Sequence, residues 1–210
     1  MPKISFVYFD VGGVAIQDFS DSPKWDSMMD VMGIPVDRRA EFDELYHTYD
    51  TEICLGKHED TLLPEIASRF NLSLPEGFSM RQYFLDHFDP NTSLWPIVAH
   101  CKKSASIGLL TDQYPGMLTQ ITKLHLLPPV AWSVVIDSTQ VGFRKPMPQI
   151  YQIAQEKAGV PAGEILFIDN RQKNLIPAEA LGWQTFFYDS KDYEKSSRDL
   201  LQFMHAKFLV

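Results

Sequence analysis

Four short stretches of the chain end an apolar or turn-forming run on a group able to do chemistry. "ISFVYFD" delivers Asp10, "SIGLLTD" delivers Thr111 and Asp112, "GFRKP" sets Lys145 before a proline, and "EILFIDN" delivers Asp169 and Asn170. Gly12 and Gly13 follow the first carboxylate and leave bare backbone beside it. A carboxylate can attack phosphorus covalently, while an ammonium and a hydroxyl bind the phosphoryl oxygens. Paired Asp oxygens suit Mg²⁺, a hard cation that bridges to phosphate. Together the set points to hydrolysis of a phosphate monoester. Taken singly, each residue has a plainer reading: Asp10 as a turn residue or helix cap, Lys145 as a solvated turn residue, and Thr111 as a cap.

The elements must bring these groups to one place. Apolar segments over 4–9, 105–110, 164–168 and 184–188 read as parallel strands buried on both faces, and 133–136 could add another. Helical periods over 92–102, 147–158 and 174–181 lie between them, the last two stopped by Gly159 and Gly182. Strands alternating with helices predict a doubly wound α/β sheet. In such sheets ligands bind outside the carboxyl ends of the strands, where the polar groups fall. From about residue 16 to 89 no strand is convincing. Amphipathic stretches over 23–32, 36–48, 58–70 and 79–88 predict an all-helical insertion there. The expected division is thus a core from 1–15 and 90–210 with a helical cap from 16–89. Asp18, Phe19, His47, Glu52 and Lys57 of this insertion could face the crevice, although each reads more readily as a surface or packing residue.

With 210 residues, 45% of them apolar, the chain can bury one sizeable core. Its net charge of −8, from 19 basic and 27 acidic residues, includes no dense Lys/Arg run, which argues against nucleic acid as a partner. Cys54 and Cys101 lie far apart without metal-ligand spacing and read as reduced thiols of a cytoplasmic protein. No signal-peptide pattern opens the chain, and no apolar run approaches a membrane span. Oligomeric state has no sequence signal.

In this order, the segments resemble the haloacid dehalogenase (HAD) superfamily of hydrolases. "FDVGGV" resembles its first motif, with Asp10 as nucleophile; "LLTD" its second, with Thr111 on the phosphate; "RKP" its third, with Lys145 holding nucleophile and phosphate; and "LFIDNRQKN" its fourth, with Asp169 and Asn170 at the metal and Asn174 in support. The insertion sits where the family's C1 cap is placed. The resemblance is strongest to the branch of small-molecule phosphatases that includes sugar-phosphate phosphatases and the N-terminal domain of soluble epoxide hydrolase. It implies a HAD-like, Rossmann-like core with a cap, Mg²⁺ as cofactor on Asp10, the Gly12 carbonyl, Asp169 and Asn170, and a small phosphorylated metabolite as substrate, bound by Thr111, Asp112 and Lys145.

Three positions depart from that pattern. Gly12 replaces the acid that serves as proton donor and water activator, which implies a loss of ~10²–10⁴ in rate unless the leaving group is good. Asn170 brings one negative charge fewer to the metal. Asp112 replaces the usual Asn, and either repels phosphate or caps a helix beginning near Pro115. Two alternatives therefore stand beside the phosphatase: a silent member that binds a phosphorylated ligand or a protein partner, and a dehalogenase, which uses the same nucleophile without metal.

Overall fold

The computed structural model describes residues 3–208. Five parallel strands form one sheet in the order β3-β2-β1-β4-β5: β1 Phe6–Phe9, β2 Ser106–Thr111, β3 Val134–Asp137, β4 Ile165–Asp169 and β5 Gln184–Phe187. The α/β architecture predicted from alternating periods is present, and the segment around 134 is indeed a strand. β1 is central, and all four of its residues are buried because both sheet faces are covered. Phe6 and Tyr8 point to the face that packs on α8 (Pro148–Ala158) and α9 (Gln172–Ala180), through Ile150, Tyr151 and Leu175. Val7 and Phe9 belong to the opposite cluster.

That second cluster runs without a break from the sheet into the region between β1 and β2. There lie α1 (Pro23–Met32), α2 (Arg39–Cys54), α3 (Leu63–Phe70) and α4 (Met80–His87), with no strand among them. Met28, Phe42, Ile66 and Phe84 from these helices are buried with Val11, Ile97 and Leu109. Local signals set the helix ends. Ser22 accepts a hydrogen bond from the Lys24 amide at the start of α1, and Gly33 closes it at φ 81°. α2 extends six residues beyond the predicted end at Thr48, since its buried residues Ile53 and Cys54 continue the apolar stripe. The predicted helix over 58–70 divides into a 3₁₀ turn, Glu59–Leu62, and α3, whose first turn holds Pro64. The one over 92–102 divides likewise, into a 3₁₀ turn, Thr92–Leu94, and α5 (Trp95–Cys101).

α10 (Tyr193–Phe208) has no counterpart in the sequence reading; Leu200 and Met204 on it enter the larger cluster. Cys54 and Cys101 are both buried and free. Among the described residues no helix is long and apolar enough to cross a membrane.

Register carries the polar residues to the mouth of the sheet. Phe9 pairs with Leu109 on one side and Ile168 on the other, so β1, β2 and β4 run out together at Asp10, Thr111–Asp112 and Asp169–Asn170. The Asp10 amide donates to the Ile168 carbonyl at 2.9 Å, which fixes the carboxylate at the seam between β1 and β4.

Candidate active site

Lys145 organises the centre. It arrives from the loop after α7 (Ser138–Val141), and its ammonium lies 2.9 Å from Asp10 Oδ1 and 2.7 Å from Asp169 Oδ2. All three are buried, with Lys145 1% exposed. Two carboxylates facing one ammonium in a low-dielectric setting hold the lysine in its charged form, its pKa raised above the ordinary value by Asp10 and Asp169 against the pull of burial. Burial likewise pushes the Asp10 carboxyl up, to about 7, with Lys145 pulling the other way. Asp10 Oδ1 also accepts the Val11 amide at 2.7 Å.

Asp169 is fully buried and its carboxylate is fully engaged. Oδ1 takes the Arg171 amide at 2.7 Å and Asn174 Nδ2 at 3.1 Å; Oδ2 takes Lys145 and Asn174. It does not line the cavity over Asp10. In this arrangement Asp169 positions Lys145, where the sequence reading has it offering an oxygen to a metal. Asn174 supports Asp169 directly.

Thr111 is also fully buried and lies behind the cavity wall, its Oγ1 accepting from Gln113 Nε2 at 3.1 Å. Asp112, Gln113 and Tyr114 form that wall instead. The helix after β2, α6 (Met117–Lys123), begins past Gly116 with no side-chain cap, so Asp112 caps nothing there. Its Oδ1 accepts the Lys145 backbone amide at 2.9 Å.

Above these groups is a cavity of about 350 Å³, within the range of small-molecule sites. Its floor includes Asp10, Gly12, Asp112, Lys145 and Asn170; its roof comes from the helical region. Of the roof residues considered from sequence, Asp18, Phe19 and His47 line the cavity, whereas Glu52 and Lys57 pair with each other at 2.8 Å outside it. Arg144 escaped the sequence reading. It spans from the floor to α2, with Nη2 2.6 Å from Asp50 Oδ2 and Nη1 donating to Thr51 at 3.2 Å. The Tyr46 and Tyr114 hydroxyls, 2.7 Å apart, join the same two regions. The proximity of Arg144 to Lys145 in "FRKP" is the only hint the sequence carries of its place.

A family model described as haloacid dehalogenase-like hydrolase matches residues 81–182. Over those residues the chain is similar to haloacid dehalogenase-like hydrolases. The HAD-like fold extends well beyond the matched residues: a HAD family enzyme of Bacteroides thetaiotaomicron, 17% identical, superposes with a TM-score of 0.72 over 91% of this chain and 96% of its own. That enzyme has also been crystallised with magnesium and inorganic phosphate. An L-2-haloacid dehalogenase, 19% identical, superposes with a TM-score of 0.66 over 97% of this chain and 100% of that one. Among curated sequences, the bifunctional epoxide hydrolase 2 of Rattus norvegicus is 27% identical over 146 residues, 65% of this chain but 26% of the rat protein.

The groups on the floor that could hold a cation carry little charge. Among the described residues no cluster of three His, Cys, Asp or Glu side chains could hold an ion. What remains is a set of hard oxygens: the Asp10 carboxylate, the Gly12 carbonyl and the Asn170 amide oxygen. Asn170 Nδ2 donates to Asp18 Oδ2 at 2.9 Å, which leaves the carbonyl end of the amide for another partner. Oxygen-only chemistry fits Mg²⁺, with a single formal charge.

Proposed function

We propose that this HAD-like hydrolase is a phosphatase of small phosphorylated metabolites, working through an aspartyl-phosphate on Asp10, with the helices between β1 and β2 as its cap. The observation that carries the reading is the buried Asp10–Lys145–Asp169 chain under a cavity of about 350 Å³. Lys145 neutralises one oxygen of Asp10 and fixes the carboxylate, so the other oxygen is aimed at a bound phosphorus. The same ammonium then stabilises charge developing on the phosphoryl oxygens, in a setting that excludes water and makes that attraction strong. Asp169 and Asn174 keep Lys145 from swinging away. Asp10, the Gly12 carbonyl and Asn170 would hold Mg²⁺, which when bound supplies charge neutralisation between nucleophile and phosphate. The crystallisation of a structural relative with magnesium and phosphate supports this choice of ligand.

Chemistry at Asp10 also fits the dehalogenase alternative, which a solved dehalogenase of the same fold keeps in view. The deciding experiment is an assay of purified protein with MgCl₂ against a panel of phosphomonoesters, and with EDTA against 2-chloropropionate. Phosphate release that Asp10→Asn abolishes is the expected outcome. Chloride release without phosphate release would replace this reading with the dehalogenase, and ligand binding without either would replace it with a silent binder.

A further inference from the structure

The phosphatase reading leaves a proton unaccounted for. Expelling an alcohol from phosphorus requires a donor, and Gly12 provides none. Of the other acids around the cavity, Asp43 keeps one oxygen unbonded but lies on α2 in the roof, away from Lys145, and the rest are committed. Asp18 holds Asn170 and its own turn through the Ser20 amide, Asp43 accepts the Trp25 indole at 2.7 Å, and Asp50 is paired with Arg144. Asp169 is saturated behind the floor.

Asp112 differs. It lines the cavity, its side chain is 18% exposed, and only Oδ1 is hydrogen-bonded, by the Lys145 amide. Oδ2 lies 3.7 Å from Arg144 Nε, too far for a hydrogen bond. One residue thus reaches both carboxylates: the Lys145 backbone holds Asp112 while its ammonium holds Asp10. Phe9 lies opposite Leu109, and parallel strands sit ~4.8 Å apart and advance ~3.3 Å per residue, which puts the Cα atoms of Asp10 and Asp112 about 8 Å apart. That separation spans a phosphoryl group.

We propose that Asp112 is the proton donor and acceptor of the reaction, taking the place of the acid missing at position 12. The inference rests on the phosphatase reading. As Asp10 bonds to phosphorus and the ester P–O bond breaks, the proton on Asp112 Oδ2 passes to the leaving oxygen and an alcohol departs. Asp112, now a carboxylate, takes a proton from the water that attacks phosphorus. The Asp10–phosphoryl bond breaks, phosphate leaves, and both groups return to their starting forms. Burial raises the Asp112 pKa above its ordinary value, in the direction a donor needs. Lys145, Arg144 and Asp169 act on it, the two cations favouring its anion and Asp169 opposing it, and Asp112 and Asp10 repel one another as anions.

The test compares p-nitrophenyl phosphate, whose leaving group needs no proton, with benzyl phosphate, whose leaving group does. Asp112→Asn keeps an acceptor for the Lys145 amide, and thermal denaturation checks its fold. The expected loss in kcat/KM, which reports the steps up to departure of the leaving group and not the later attack of water, is ~10²-fold or more on benzyl phosphate and under about 3-fold on p-nitrophenyl phosphate. Adding Gly12→Asp to that variant should restore benzyl phosphate turnover. Equal losses on both esters, or no loss on benzyl phosphate, would overturn the assignment and leave Asp112 a support for Lys145. A parent protein that hydrolyses neither ester overturns the phosphatase reading, and this inference with it.

Discussion

Gly12 and Gly13 are neighbours with opposite tolerances. A Cβ built on Gly12 meets nothing within 4 Å. The acid missing there was therefore not excluded by space, and Gly12→Asp should fold with an unchanged melting temperature. In an otherwise unaltered protein it should speed benzyl phosphate hydrolysis by less than about 10-fold, because Asp112 already serves, whereas beside Asp112→Asn the gain should approach ~10²-fold. Steady-state kinetics on the four variants of this cycle measure the coupling. Additive effects would mean that the two positions act independently. Asn170 teaches a related lesson. From sequence it is an acid lost, while in the structure Asp18 accepts its Nδ2 and so places a second carboxylate at one remove from the floor.

At the scale of elements, the turn after β1 decides whether the floor holds together. Gly13 sits at φ 77°, and a Cβ there would fall 2.0 Å from Asn170 Nδ2. The turn that leads from strand to helical region thus packs its backbone directly on the loop after β4. Gly13→Ala should lower stability by ~1–2 kcal/mol from the left-handed backbone alone, with more from displacing Asn170. For a chain of this size that is roughly 2–4 °C in melting temperature per kcal/mol. Gly12→Ala is the control and should lie near the parent. The β-strand signals, the helix stops at Gly159 and Gly182, and the run of helices between β1 and β2 were legible because each follows from local chemistry. α10 and the extension of α2 were not, since their apolar stripes have meaning only against the surfaces that cover them.

For the whole molecule, the buried triad is a liability that the fold must support. Lys145 is the sole cation within hydrogen-bond reach of Asp10 and Asp169 among the described residues. Lys145→Met would strand both carboxylates in the interior, and breaking such a pair from one side costs about 3–5 kcal/mol. Urea unfolding should show that loss, and Asp10→Asn in the same chain should recover part of it by removing one stranded charge. The site depends equally on closure from above. Arg144 to Asp50 and Tyr46 to Tyr114 tie the strand-end loops to α2, and through them the helical region roofs the cavity.

The sequence by itself determined the α/β class, the helical interruption, and the identities of Asp10, Asp112, Lys145, Asp169 and Asn170 as residues at strand ends. These follow from short-range periodicity and from the few chemical groups able to end a buried strand. Only the tertiary structure decided what each one faces. Asp169 turned out to hold Lys145, Thr111 lies behind the wall, Asp112 opens onto the cavity, and Arg144 reaches the roof. Distances between residues more than a hundred positions apart depend on sheet order and side-chain packing, and no local pattern encodes those.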